Sequence, residues 1–263
     1  MSSSKRRWVM GSLVAFLLSC AAWSVAQGPP VAATGQYDAQ IQTEVTRTLE
    51  NRRFRDVKVS VQNGIVTLTG TVGVYSIKQD AASRAHRRRN VRGVENLIQV
   101  AGPTVDDATL RSKLAEKLAY DRVGYGTTAF NSFTIGVENG VVTLGGVAYG
   151  PVDKDSAVSL VSNYPGVKDV VDKIQVAPVS PNDDRIRLAE ARAIYGAPQL
   201  NKYAIDPAKP IRITVVNGNV TLTGVVDSQG DKDVANIKAN GVAGVFKVIN
   251  LLQVAGAAPE KDK

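Results

Sequence analysis

The chain has 263 residues, of which 44% are hydrophobic and 21% are charged, a balance that is typical of folded proteins and excludes a disordered chain. A single cysteine and a single histidine exclude a disulfide framework and a zinc site built from several such ligands. The formal net charge of +8 favours an anionic partner wherever the basic residues cluster.

The first 26 residues have the three parts of a secretory signal peptide. Residues 5–7 (KRR) form a basic start, residues 8–18 form an apolar run, and residues 24–26 (SVA) supply small residues for cleavage. The apolar run is too short to be a stable membrane span. The sequence therefore predicts export, with a signal peptide over 1–26 and a linker over 27–37.

A second interpretation uses the same segment. Residues 17–20 (LLSC) resemble a bacterial lipobox, in which the cysteine is lipidated and becomes the new N-terminus. The alternative is that Cys20 merely contributes to an apolar signal core. The sequence leaves open whether the protein is released into the periplasm or anchored in a membrane through a lipid on Cys20.

A ten-residue pattern occurs three times, as VQNGIVTLTG (61–70), VENGVVTLGG (137–146) and VVNGNVTLTG (215–224). Asn-Gly between alternating aliphatic residues predicts a hairpin with a type I′ turn, whose two central residues have positive φ. The aliphatic residues then share one face of the hairpin. The glycine ending each copy is expected to let a helix pack closely. The predicted pairs are Val61–Val66, Val59–Leu68 and Val57–Gly70, then Val137–Val142, Ile135–Leu144 and Phe133–Gly146, then Val215–Val220, Ile213–Leu222 and Ile211–Gly224.

Each hairpin is flanked by two predicted helices and followed by a third strand. Apolar residues at helical spacing mark the helices. Before the hairpins these are Ile41, Val45 and Leu49, then Leu110, Leu114 and Leu118, and less regularly Ile186, Ala189, Ala193 and Ile194. After the hairpins they are Ala81 and Ala85, Ala157 and Val161, and Ala235 and Ala239. Turns at Asn90, Gly166 and Gly244 precede the predicted third strands, which are VENLIQV (94–100), VVDKIQV (170–176) and VINLLQV (248–254). Asn96, Asp172 and Asn250 are expected to bond the backbone.

The order helix, strand, strand, helix, strand, with these motifs at one spacing, resembles the BON domain (bacterial OsmY and nodulation domain). The fold class is therefore α+β, with three tandem αββαβ sandwiches in which a three-stranded sheet packs against two helices. We name them repeat 1 (38–101), repeat 2 (105–177) and repeat 3 (181–255), followed by a disordered tail (256–263). The resemblance implies an exported envelope protein without catalytic residues or cofactors, acting in osmotic stress, phospholipid association or envelope integrity.

Repeats 2 and 3 carry insertions between the first helix and the hairpin, at 120–132 and 195–210. Their aromatic residues are suited either to a lipid–water interface or to packing on their own or a neighbouring repeat. We expect the packed arrangement. The residues concerned are Tyr120, Tyr125, Phe130, Tyr195 and Tyr203.

Basic residues concentrate in repeat 1, where residues 38–100 contain eleven Lys and Arg against six Asp and Glu. They predict an anionic headgroup site, although a solvated surface and a capped helix end would also use them. Nucleic acid is not expected as the partner, because an exported protein meets little of it. Repeat 1 also lacks aromatic residues among its arginines on which bases could stack. The predicted site comprises Arg52, Arg53, Arg55, Lys58, Arg84, Arg87, Arg88, Arg89 and Arg92.

A catalytic centre is not expected. The single histidine, His86, is replaced by serine and asparagine at the equivalent positions of repeats 2 and 3, and no metal site is predicted. The carboxylate pairs Asp153/Asp155 and Asp231/Asp233 lie where the second helices start. Capping of the helix N-terminus and interaction with the helix dipole explain them. The sequence thus predicts a non-enzymatic envelope protein that binds anionic phospholipid. The alternative is a soluble periplasmic stress or chaperone-like protein that binds other proteins.

Overall fold

The computed structural model describes residues 35–121 and 128–256. The predicted signal peptide (1–26) with Cys20, residues 27–34 of the linker, Tyr125 and the tail beyond Gly256 lie outside the described residues. Within the described ranges, every helix is too short or too polar to cross a bilayer.

Repeat 1 follows the predicted order and adds two short elements. Between its first helix and hairpin lies a single 3₁₀ turn, and its third strand is divided. The elements are α1 (Asp38–Thr48), the 3₁₀ turn (Arg52–Phe54), β1 (Val57–Gln62), β2 (Ile65–Val72), α2 (Tyr75–His86), β3 (Gly93–Asn96) and β4 (Gln99–Val100).

Repeats 2 and 3 have the same order, with 3₁₀ turns inside their insertions. Repeat 2 contains α3 (Asp107–Tyr120), the turn Thr128–Phe130, β5 (Ser132–Glu138), β6 (Val141–Ala148), α4 (Pro151–Ser162), β7 (Asp169–Asp172) and β8 (Gln175–Val176). Repeat 3 contains α5 (Pro181–Tyr195), the turn Asn201–Ala204, β9 (Arg212–Val216), β10 (Asn219–Thr223), β11 (Val225–Val226), α6 (Gln229–Asn240), β12 (Lys247–Asn250) and β13 (Gln253–Val254).

In each repeat the second strand is central, antiparallel to the first and parallel to the third. Eight of the nine predicted pairs lie in register, and Ile211–Gly224 falls just beyond the β9–β10 ladder. The turn asparagines have φ of 55°, 53° and 51°, and the glycines that follow them have φ of 78°, 79° and 74°. The type I′ turns are therefore confirmed, because both central residues have positive φ.

The glycine ending each pattern has a different role from the expected one. Gly70, Gly146 and Gly224 have φ of 111°, 89° and 130°, so the central strand bends at these residues. A Cβ atom would lie 1.9 Å from the Asp56 carbonyl oxygen and 1.8 Å from that of Ser132. The close neighbour is thus the backbone at the start of the first strand and not a helix. The bend also divides the third strand, since pairing with the central strand stops for two residues and then resumes in the same register.

The polar residue at the break of the third strand bonds the backbone, as expected, and it also contacts the second helix. Asn96 Nδ2 donates to the Lys78 carbonyl at 2.9 Å, and Asn250 Nδ2 donates to the Lys232 carbonyl at 3.0 Å. In repeat 2, Asp172 instead forms an ion pair with Lys154 at 2.9 Å. All three side chains also accept a hydrogen bond from the backbone N–H two residues later. The backbone-bonding role is confirmed.

A carboxylate at the start of each first helix binds the hairpin turn. Asp38 accepts hydrogen bonds from both turn amides of repeat 1, each at 2.8 Å. Asp107 and Asp183 do the same in repeats 2 and 3, at 2.7 to 2.9 Å. Three copies of this contact fix the first helix against the hairpin. An aspartate at this point of every copy was a signal for this contact that is visible in the sequence.

Each repeat has its own hydrophobic core between its helices and one face of its sheet. The predicted residues of the first helices in repeats 1 and 2 and the whole downstream stripe are buried. In α5 the stripe differs from the expected one, since Ala189 and Ala193 are half-buried. Glu190 lies fully buried between Ile186 and Ile194, at the position of Val45 and Leu114 in the other copies.

Repeat 1 contacts repeat 2 through the start of α2. Tyr75 is buried in the core of repeat 2, and burial followed by its hydrogen bond to Asp169 raises the pKa of its hydroxyl to about 12. Ser76 Oγ donates to Asn163 Oδ1 at 2.7 Å beside it. The start of α2 therefore lies beside β7, the edge strand of repeat 2.

Repeat 3 contacts repeat 2 through a different surface, formed by its edge strand β9 and its helix α5. Arg212 of β9 donates to the carbonyls of Thr128 and Asn131 at 3.1 and 3.0 Å. Burial lowers the pKa of this guanidinium. Arg187 of α5 lies against the ring of Tyr149, at 4.7 Å. The insertion of repeat 2 is thus part of the contact with repeat 3.

Candidate functional site

Three of the predicted arginines surround one cavity in repeat 1. Arg52, Arg53 and Arg55 lie in or beside the 3₁₀ turn, which is capped by the Asn51 side chain accepting from the Arg53 N–H at 3.2 Å. Phe54 points into the core and is 2% exposed, so the flanking arginines point to solvent. The three arginines line a cavity of about 570 Å³.

Arg84 of α2, another residue of the predicted site, lies beside these three arginines. Its Nε lies 2.9 Å from Asp80 Oδ1, and Arg53 pairs with the other oxygen of the same carboxylate. The guanidinium carbons of Arg53 and Arg84 lie 4.9 and 5.6 Å from the centre of the Phe54 ring. The Asp80 carboxylate and the Phe54 ring thus hold the two guanidinium groups side by side. Asp80 neutralises only one of the two positive charges.

The other members of the predicted site lie elsewhere on repeat 1. Arg87 follows the last residue of α2 and donates to the Ser83 carbonyl at 3.1 Å, which is helix capping. The side chain of Arg92 packs over Gly64, at the turn end of the hairpin. Lys58 is exposed on β1. The structure therefore divides the eight predicted arginines into two groups and leaves Lys58 outside both. We name them the η-group, at the 3₁₀ turn (Arg52, Arg53, Arg55 and Arg84), and the turn-end group (Arg87, Arg88, Arg89 and Arg92).

The charges of the η-group differ in availability. Arg55 pairs with Asp56 at 3.2 Å, and both side chains are more than half exposed, so the pair is weak. Arg52 is exposed and makes no ion pair with any residue of the described ranges. The η-group therefore offers free positive charge beside a concave surface, which is the chemistry that a phosphate group requires.

His86 and the carboxylate pairs form no catalytic arrangement among the described residues. His86 is exposed at the end of α2. Asp153 accepts from Asn131 Nδ2 at 3.0 Å, and Asp231 accepts from the Tyr203 hydroxyl at 2.7 Å. That hydrogen bond, followed by Lys202, lowers the pKa of Asp231. Within the ranges described, acidic, histidine and cysteine side chains form no group that could hold a metal ion.

These two aspartates attach the insertions, a role that the sequence analysis missed. Both occupy the third residue of the second helix, where they meet Asn131 and Tyr203 of the insertions. Repeat 1 has no insertion and has Ile77 at the equivalent position. The difference between the copies was therefore a usable signal.

The aromatic residues of the insertions pack inward, as expected. Tyr203 is 4% exposed in the core of repeat 3, and Tyr195 and Phe130 pack against the same core. Tyr120 differs, being 58% exposed and donating to Asp206 of repeat 3 at 3.2 Å. The packed arrangement is therefore confirmed for Phe130, Tyr195 and Tyr203.

Comparison with known proteins identifies the repeated unit. The BON domain family matches residues 37–102, 106–178 and 198–256, together more than half of the chain. The third match begins after α5, the helix in which this copy buries Arg187 and Glu190. Osmotically-inducible protein Y of Escherichia coli (strain K12) is 25% identical over 203 residues, which are 75% of this chain and 96% of that protein.

Two solved structures of CdsD, a structural protein of the type III secretion system of Chlamydia trachomatis, are also similar. Both are 14% identical; one covers 82% of this chain and 92% of its own, and the other, a C-terminal domain, covers 81% and 96%. Their TM-scores are 0.24 and 0.25.

Proposed function

Because the chain belongs to the BON domain family, we propose that it is a non-enzymatic protein of the cell envelope that associates with anionic phospholipid through repeat 1. Its role would be osmotic-stress tolerance or envelope integrity, which is supported by its similarity to an osmotically inducible protein over most of both chains. The predicted signal peptide supports export.

The observation that carries the lipid proposal is the convergence of Arg52, Arg53 and Arg55 around one cavity. An arginine can give two parallel hydrogen bonds to a phosphate, so a phospholipid headgroup fits this surface. Repeat 1 is also the copy with the largest basic excess, whereas residues 106–176 contain seven Lys and Arg against nine Asp and Glu.

The binding is expected to be weak and reversible. Each basic residue near an anionic membrane contributes about 1 kcal/mol. Because Asp80 neutralises one of the four charges, the η-group contributes roughly 3 kcal/mol, an interaction in the millimolar range. A lipid on Cys20 would add a second attachment, and two signals are what stable anchoring needs. Mass spectrometry of the mature N-terminus distinguishes a lipidated Cys20 from cleavage before Gln27.

Co-sedimentation with vesicles tests the proposal. The full chain should sediment with anionic vesicles, much less with zwitterionic ones, and less with both at high salt. The double variant R52E/R55E should lose the preference. The control K238E changes the same kind of charge on an exposed residue of α6 and should keep it. Equal retention by both vesicle types, or an unchanged R52E/R55E, would contradict the proposal.

One observation favours a second candidate, a protein-binding role. Ile237, Phe246 and Leu251 of repeat 3 are 67%, 85% and 57% exposed, and repeats 1 and 2 have Arg92 and Lys168 at the position of Phe246. Exposed large apolar residues of this kind suit contact with other proteins. If this role is real, the full chain should delay aggregation of reduced insulin, and F246R should abolish the effect. An F246R variant as active as the parent would reject it.

A further inference from the structure

A second cavity, larger than the one in repeat 1, lies where the two insertions meet. Its volume is about 810 Å³, and it is lined by the last turns of α5, by residues 203–207 and Pro210, and by the 3₁₀ turn Thr128–Phe130. This volume is in the range of small-ligand sites, which are mostly apolar with a few polar groups. Repeat 1 lacks the insertion, and the corresponding end of its first helix lines a smaller cavity of about 340 Å³.

The walls of this cavity are formed mainly by carbon. Two tyrosines line it, and their hydroxyls are used elsewhere. The Tyr195 hydroxyl donates to the Ile211 carbonyl at 2.5 Å, and the Tyr203 hydroxyl donates to Asp231 at 2.7 Å. The rings are therefore what these residues offer to a ligand. Leu188 and Ile205 also line the cavity and are 53% and 79% exposed, which is unfavourable in water unless something covers them.

The lining contains one cation and one anion, and they differ in availability. Asp206 already accepts hydrogen bonds from the Tyr120 hydroxyl at 3.2 Å and from the Ala208 N–H at 2.9 Å. Arg192 is exposed on α5 and forms no ion pair with a described residue. Arg192 is therefore the charged residue of the lining whose hydrogen-bonding groups are not engaged by an ion pair with a described residue, and a guanidinium readily binds a carboxylate or phosphate.

We propose that this cavity binds the aliphatic chain of a single-chain anionic amphiphile, with the Arg192 guanidinium on its head group. The carbon walls exclude water from the chain, and the open side leaves the head group in solvent beside Arg192. The site is separate from the η-group of repeat 1 and needs no membrane. It would let the protein carry or sense free acyl chains in addition to contacting a lipid surface.

Calorimetric titration of the full chain with dodecanoate, below the concentration at which it forms micelles, tests the proposal. Dodecanoate should bind at one site, and dodecyltrimethylammonium, which has the same chain length and the opposite charge, should bind at least tenfold more weakly. A nitroxide-labelled fatty acid should broaden the methyl NMR signals of Leu188 and Ile205. Equal affinity for both head groups, or broadening confined to repeat 1, would overturn it.

Variants separate the two parts of the site. R192E should weaken dodecanoate binding about tenfold, the size expected for reversing one nearby charge. R185E is the matched control, since Arg185 is exposed on the same helix and lies outside the cavity lining, and it should leave the affinity unchanged. A191F should block the chain. If A191F does not fold, L188N alters the half-exposed rim instead and should weaken binding severalfold. Unchanged affinity in R192E, or in the folded chain variant, would reject the proposal.

Discussion

Replacing Glu190 by leucine is expected to stabilise repeat 3 and to change how its stability depends on pH. Glu190 is fully buried, and both of its carboxylate oxygens lack a hydrogen-bond partner among the described residues. Arg187, one turn earlier, pairs with Asp184 and donates to the Val215 carbonyl. The equivalent residue of repeat 2 is Leu114, so leucine suits this position.

The magnitude follows from the pKa of the carboxyl group. Burial raises the pKa of Glu190 from 4.5 to about 8. Between these values the folded state keeps a proton that the unfolded state has lost, so stability falls as the pH rises. The slope is about 1.4 kcal/mol per pH unit, and the penalty at pH 7 is about 3 kcal/mol relative to acid conditions. Below pH 4.5 both states are protonated and the penalty disappears.

The assay is urea unfolding of the full chain from pH 5.5 to 8.5, with pulsed hydrogen exchange resolved by peptide so that β10 reports repeat 3 separately. The stability difference between E190L and the parent should grow by about 3 kcal/mol over this range. E190Q should also remove the pH dependence, with less stabilisation because its amide is still buried without a partner. E50Q, at an exposed glutamate, is the control and should follow the parent.

A difference that stays constant with pH would refute this reasoning. It would mean that Glu190 has an ordinary pKa in the folded state, and so is either solvated or paired.

Three further predictions concern contacts inside single repeats that have a counterpart in at least one other repeat. D107N should destabilise repeat 2 by about 1–3 kcal/mol. The carboxylate accepts one turn N–H with each of its two oxygens, whereas an amide has only one oxygen. Thermal unfolding measures the loss. G146A should lower the stability of repeat 2 by more than about 2 kcal/mol, because its Cβ would collide with the Ser132 carbonyl at a positive φ; a normal urea midpoint would be incompatible with this. Y203F should loosen the insertion of repeat 3 by about 1–3 kcal/mol, since Asp231 loses a buried donor, and faster amide exchange confined to repeat 3 would reveal it.

The hairpins could be predicted to single residues because their information is local. Asn63 and Gly64 adopt positive φ for reasons contained in their own side chains, and a period of two then sets the register. The three copies have the same spacing, so each supported the prediction made for the others. Aligning the copies with one another also located the second helices. The basic excess of repeat 1 could also be counted, but its division into two groups required the positions of Phe54 and Asp80.

The remaining features depend on residues far apart in the chain. Asp38 reaches a turn 25 residues later, Asp231 meets Tyr203 across the insertion, and Arg192 and Phe130 line one cavity from different repeats. Even the final glycine of the hairpin pattern was misjudged, since its neighbour is a carbonyl at the far end of the other strand.

The sequence by itself determined three αββαβ units and the strand pairing inside each, because backbone conformation and alternation act over a few residues. Only the tertiary structure decided which polar groups are satisfied, which charges stay free, and which insertion packs against which repeat. Those outcomes depend on distances and on burial from water, and no spacing along the chain specifies them.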